Sequence, residues 1–127
     1  NSQLACIPMI ETRQAVDNLE AILEVEGIDA VYVGPADLSI SYGLPPASDH
    51  PDSPVYQEAL AKIVELSRAR GVAPGIHAVP DLVQHRIGQG FQMVTATSNL
   101  LAQLAGAGNA LAVAKGETSG ASTQSMY

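Results

Sequence analysis

Ile28-Asp29-Ala30-Val31-Tyr32-Val33-Gly34-Pro35-Ala36-Asp37, residues 28–37, is the stretch on which the fold turns. Ile28 to Val33 is a short apolar run rich in β-branched side chains, as suits a strand covered on both faces. Gly34-Pro35-Ala36-Asp37 then breaks it with a turn. Upstream, Leu4-Ala5-Cys6-Ile7-Pro8-Met9-Ile10 is a second such run, closed by Glu11. Between the two lies a helical pattern from Arg13 to Glu24, with Val16, Leu19 and Leu23 on one face and Ala15 and Ile22 beside them. Gly27 fits the end of that helix. A helix between two strands makes them parallel neighbours, joined by a right-handed crossover. Glu11 and Asp37 then project from the same, C-terminal edge of the sheet. Two hard oxygen ligands on one rim suit Mg²⁺ or Mn²⁺.

The same alternation continues downstream. Pro45, Pro46, Pro51 and Pro54 forbid a long helix in the connection from Gly34 to Ser53, apart from a short helical turn at Leu38 to Tyr42. Ser53 and Pro54 form an N-cap and N1 pair for a helix to about Arg70, with Val55, Ala59, Ile63 and Leu66 as its buried stripe and Gly71 as its stop. Val72 to Ala78 is the third strand, and Pro80 opens a short helix to about Ile87. Phe91 to Ala96 is the fourth strand. Ser98 caps a last helix through Leu101, Leu104 and Leu111 to Ala114. The order βαβαβαβα makes an α/β fold of four units, an open sheet or half of an eight-stranded (β/α)8 TIM barrel. Residues 1–115 read as this half-barrel domain and 116–127 as a flexible tail of linker composition. Pro8 suits an edge strand. A half-barrel exposes a concave face and two unpaired edges, so self-association as a homo-oligomer is expected to complete or cover it.

At 127 residues the chain has room for one domain with a real core. Its net charge of −7 argues against a nucleic-acid surface, which needs clustered Lys and Arg. No stretch reaches the length of a membrane span. The single cysteine, Cys6, rules out a disulfide within the chain and favours a reducing, cytoplasmic setting. Its apolar neighbours predict a buried, inert thiol.

The blocks Pro8-Met9-Ile10-Glu11-Thr12 and Val33-Gly34-Pro35-Ala36-Asp37-Leu38-Ser39, with the helix ending near Gly27 between them, resemble the HpcH/HpaI aldolase family. Gly75-Ile76-His77-Ala78 and Gly90-Phe91-Gln92-Met93-Val94-Thr95 look like its next two strands. The resemblance covers about residues 4 to 114 and corresponds to the C-terminal half of the family's barrel. It implies a metal-dependent (class II) lyase that cleaves 4-hydroxy-2-keto acids to pyruvate and an aldehyde. It also implies Glu11 and Asp37 as ligands of Mg²⁺ or Mn²⁺. The turn Gly34, Pro35, Ala36 and Asp37 would bind substrate, with the amides of Ala36 and Asp37 holding the carboxylate of the small 2-keto acid. The family's arginine and its base-linked histidine belong to the other half, so neither role falls on a residue here. Asn99 stands where the family often carries an acid.

Each candidate has a blander reading. Glu11 could be an ordinary carboxylate at a helix N-terminus, and Asp37 could cap the turn that follows it. His77 ends the third strand and is a candidate pocket residue or proton donor; the alternative is a half-buried histidine bonded to a loop. His50 and His85 read as solvated, and Ser39 and Ser41 as bonded to the local backbone. Lys62 lies in mid-helix and Lys115 near the chain end, which disfavours a Schiff-base aldolase. Two other functions stay open: a citrate-lyase-like or malyl-CoA-lyase-like enzyme, and a catalytically silent, self-associating half-barrel. A CoA substrate would call for a basic patch that so few Lys and Arg cannot supply.

Overall fold

The computed structural model describes residues 3–117. The described residues fall into two units, 3–96 and 97–117. The first holds a four-stranded parallel sheet in the order β1 (Met9–Ile10), β2 (Ala30–Val33), β3 (Ala73–His77), β4 (Met93–Thr95). Helices α1 (Arg13–Asp17) and α2 (Leu19–Leu23) join β1 to β2. Between β2 and β3 come α3 (Pro35–Ser41) and α4 (Pro54–Ala69). A 3₁₀ turn (Pro80–Leu82) and α5 (Val83–Gly88) join β3 to β4. The second unit carries α6 (Asn99–Ala114), capped by the Ser98 hydroxyl, which accepts from the Leu101 amide at 3.3 Å. Four βα units in parallel succession correspond to half of a (β/α)8 barrel. The last part of the expected tail, from residue 118, lies outside the described residues.

Register organises the sheet into two rows. Ile10 pairs with Val33, Val33 with Ile76, and Ile76 with Val94. Ile10, Val31, Val33, Pro74 and Ile76 are buried on this face, in one core with Leu19, Leu38, Leu60 and Ile63 of the helices. Because side chains alternate along a strand, the neighbouring row Met9, Tyr32, Gly75, Met93 faces the other way. Met9 is exposed, and Tyr32 and Met93 are half-buried.

Several local details depart from the sequence pattern. β1 is two residues rather than the whole Leu4–Ile10 run. The Asp29 carboxylate accepts from the Cys6 amide at 2.8 Å, and the Cys6 carbonyl accepts from the Asp29 amide at 3.0 Å, so a side chain replaces part of the ladder. Cys6 is consequently exposed, not buried. The first helix breaks at Asn18, whose side-chain amide donates to the Gln14 carbonyl at 2.9 Å. Val16, Leu19 and Leu23 are still its buried residues. The stripe of α4 is rotated by about one residue: Tyr56, Ala59, Leu60, Ile63, Val64 and Ser67 are buried, whereas Val55 is 47% exposed. Pro8, just outside edge strand β1, accepts through its carbonyl from Tyr32 and has no amide to leave unpaired.

Gly75 is required by packing rather than by a turn. A Cβ there would lie 2.6 Å from Met93 Cε, 2.9 Å from Tyr32 Cδ2 and 2.9 Å from the Val31 carbonyl oxygen. The glycine lets the Tyr32 ring lie across β3, and its hydroxyl shares a hydrogen bond with Thr95 of β4. Gly75→Ala is expected to destabilise the fold by about 1–3 kcal/mol in urea unfolding. Adding Met93→Ala should recover only part of this, because the Val31 carbonyl is backbone and cannot move aside.

Candidate active site

The rim of the sheet is built by continuing the register one step past the buried row. Glu11 comes level with Gly34, Gly34 with His77, and His77 is paired with Thr95. Thr12 caps α1 by accepting from the Ala15 amide at 3.1 Å, so Glu11 lies just before the cap, outside the helix. Gly34 caps α3, with Pro35 at its first position. That helix therefore starts three residues earlier than the Leu38–Tyr42 turn the sequence predicts. Asp37 falls in its first turn rather than at the cap, and its carboxylate has no hydrogen-bond partner among the described residues.

Both carboxylates approach Gly34. A Cβ at this glycine would lie 3.1 Å from Glu11 Oε2 and 3.4 Å from Asp37 Oδ2, with Met9 Cε at 3.3 Å. Glycine keeps that space open. It adjoins a cleft of about 250 Å³ lined by Met9, Tyr32, Gly34 to Asp37, Ala47, Ser48 and His77. This lies below the ~300–1,000 Å³ common for larger ligands and suits a molecule of a few carbons. Asp37 is exposed and Glu11 half-buried. The Leu38 amide donates to the Gly34 carbonyl at 2.9 Å; those of Ala36 and Asp37 precede it and have no helical acceptor. His77 lines the cleft with its ring half-buried. The described residues contain no cluster of three or more His, Cys, Asp or Glu.

Two hard carboxylates converging on an open gap fit a hydrated divalent cation, because Mg²⁺ keeps several waters and uses only one or two protein carboxylates. Lys62 is outside this chemistry, its ammonium donating to the Val16 carbonyl at 2.9 Å. His85 is exposed. His50 and Ser41 differ from the sequence reading. The His50 Nε2 lies 3.0 Å from the Ser39 hydroxyl and 2.9 Å from the Pro45 carbonyl, with its ring edge-on to Tyr56. The Ser41 hydroxyl accepts from the distant Arg13 amide at 2.8 Å. Ser39 does bond its local backbone, donating to the Pro35 carbonyl at 2.6 Å.

Sequence reasoning misses Arg86 altogether. It is fully buried on α5 and pairs with Asp49 at 2.9 Å. It also donates to the Ser48 carbonyl at 2.7 Å and to Gln89 Oε1 at 2.8 Å. An arginine in a short polar helix gives no sequence signal of this, since Asp49 and Ser48 are 37 and 38 residues away. Burial pushes the Asp49 carboxyl up, but hydrogen bonds from Gln57 and Arg86, with the arginine charge, outweigh it and hold the group below its ordinary value. Burial also raises the Tyr56 and Tyr42 phenols.

The chain thus presents a parallel α/β half-barrel with two carboxylates at its C-terminal rim. The comparisons with known proteins narrow this. The HpcH/HpaI aldolase/citrate lyase family model matches residues 1–104, and the chain belongs to that family. It is 41% identical over 95 residues to a 2-keto-3-deoxy-L-rhamnonate aldolase of Escherichia coli O1:K1 / APEC, covering 74% of this chain and 34% of that one. Among solved structures it is similar to an HpcH/HpaI aldolase/citrate lyase family protein from Burkholderia cenocepacia J2315. The TM-score there is 0.79 and the identity 30%, over 90% of this chain and 44% of the other. An HpcH/HpaI aldolase from Desulfitobacterium hafniense DCB-2 gives a TM-score of 0.76 and 26% identity, over 93% and 45%. The chain thus spans between a third and a half of the length of these relatives.

The lowered Asp49 carboxyl has a pH consequence. Its contribution to stability is fully present above the ordinary value of 3.8 and is lost as pH falls through the depressed folded value. Asp49→Asn should therefore cost about 1–3 kcal/mol at neutral pH. The gap between the two melting curves should close when both proteins are melted in steps below pH 4.

Proposed function

We propose that this chain supplies the cation-holding part of an aldolase site that cleaves 4-hydroxy-2-keto acids to pyruvate and an aldehyde. The observation that carries the reading is the approach of Glu11 Oε2 and Asp37 Oδ2 to one gap over Gly34, beside a small cleft. Membership of an aldolase/citrate lyase family supports the reaction class. In this reading Glu11 and Asp37 hold Mg²⁺ or Mn²⁺, and the amides of Ala36 and Asp37 donate to the substrate carboxylate. When bound, the cation supplies positive charge beside the keto-acid oxygens. Met9 and Tyr32 wall the cleft on its sheet side. As the C3–C4 bond breaks, its electron pair passes to C3 of the keto-acid half and the C4 hydroxyl proton leaves, giving the aldehyde; return of a proton to C3 of the resulting enolate then gives pyruvate. His77 is the residue of this chain nearest in kind to a carrier for that proton.

The rest of the proposal follows from charge and edges. A net charge of −7 and a buried Arg86 favour a small keto acid over a CoA thioester. Among the described residues β1 pairs only with β2 and β4 only with β3, which supports a homo-oligomer or a completing half. No described helix is long and apolar enough to cross a membrane. A cytoplasmic setting, with neither nucleic acid nor membrane as partner, belongs to the same reading.

Titration with Mn²⁺ tests the site. Asp37→Asn and Glu11→Gln should each weaken binding about tenfold or more, the loss expected for one charged ligand of few. Gly34→Ala should weaken it as well, by filling the gap while keeping both carboxylates. Equal binding by all four proteins would reject the assignment. Pyruvate release from a 4-hydroxy-2-keto acid is expected to be weak for this chain alone. It should rise when the chain is joined to the preceding half of a family barrel.

A further inference from the structure

The cleft has three kinds of wall: the sheet face, the turn at Gly34 to Asp37, and the loop residues Ala47 and Ser48. The first two are fixed by strand register and by α3. The third belongs to the connection between α3 and α4, where Pro45, Pro46 and Pro51 remove backbone donors. Side chains hold that loop instead. Gln57 donates to Asp49 Oδ1 at 2.9 Å and to the His50 carbonyl at 3.0 Å, and Gln89 donates to Gln57 at 3.2 Å. Arg86 takes a wall residue and its neighbour at once, the Ser48 carbonyl at 2.7 Å and the Asp49 carboxylate at 2.9 Å. It is fully buried.

We propose that Arg86 is a positioning residue: by gripping Ser48 and Asp49 from behind, it sets the loop wall of the cleft and hence the cleft's affinity for a small keto acid. Arg86 is absent from the lining and touches no candidate ligand of the cation. Its effect should therefore fall on keto-acid binding and leave cation binding alone. A planar fork suits this arrangement, since Nη2 serves both Ser48 and Asp49 while Nη1 serves Gln89; a lysine ammonium offers only a compact point charge. Asp49 is 12% exposed, so an unpaired carboxylate there can take water if the arginine is lost.

The inference rests on the cleft being a keto-acid site, and the experiment separates the two. Mn²⁺ binding is followed by the EPR signal of the free ion, and pyruvate binding to the Mn²⁺-loaded chain by calorimetry. Wild type, Arg86→Met, Arg86→Lys and Asp49→Asn are compared, with circular dichroism as a check on folding. Arg86→Met should keep Mn²⁺ affinity within about twofold and lose about tenfold or more in pyruvate affinity, as removal of a supporting contact behind a site typically does. Arg86→Lys should fall between the two, and Asp49→Asn should show a smaller loss in the same direction. If Arg86→Met does not fold, the lysine and asparagine variants carry the test. Unchanged pyruvate affinity in the folded variants would overturn the role of Arg86 while leaving the functional reading intact. Parallel loss of Mn²⁺ and pyruvate would also overturn it, by showing a general structural effect. A wild-type chain that binds Mn²⁺ but no pyruvate would overturn the keto-acid reading, and the positioning role with it.

Discussion

The parallel register Ile10–Val33–Ile76–Val94 is the constraint on which the remainder of the structure depends. It buries one aliphatic row under the helices, and strand alternation then decides every residue of the opposite face. A slip of one position on β2 would turn Val33 outward and move Gly34 away from Glu11. The site is therefore a consequence of core packing: the same pairing that hides Val33 brings Glu11, Gly34 and His77 level at the rim. Gly34 and Gly75 are the two places where this face needs no side chain at all. One leaves a gap between carboxylates, and the other admits the Tyr32 ring.

A second level of order lies in the polar connection behind the rim. Ser39, His50, Gln57, Gln89, Asp49 and Arg86 are spread over about fifty residues of sequence, yet they form one chain of hydrogen bonds. Burying a guanidinium is costly unless its donors are occupied, and removing one partner of such a pair commonly costs about 3–5 kcal/mol. That cost makes the loop's position well determined despite its prolines. It also ties α5, none of whose residues lines the cleft, to the cleft wall.

Spanning under half of its structural relatives, the chain has strand edges and an open sheet face that a full barrel would close. Its cleft is correspondingly shallow in chemistry. It offers carboxylates, turn amides and one imidazole, and no arginine reaches the lining.

Much of the fold was legible because it depends on local pattern. Apolar runs of strand length, helical periodicity at Val16, Leu19 and Leu23, and the Ser53-Pro54 and Ser98 helix starts were all readable from neighbours in sequence. So were the two carboxylates that follow the first two strands, since strand end and turn are local features. Tertiary structure decided what depends on distant partners. Asp29 shortened β1 and left Cys6 exposed, Tyr56 displaced Val55 from the buried stripe of α4, and His50 was drawn from solvent to Ser39. Arg86 is the clearest case, because a charge is buried only where the fold delivers enough acceptors to it, and Ser48 and Asp49 are brought there by packing alone. Sequence by itself thus determined the strand–helix order and the residue types at the rim, whereas the spatial meeting of side chains far apart in the chain was settled only by the folded core.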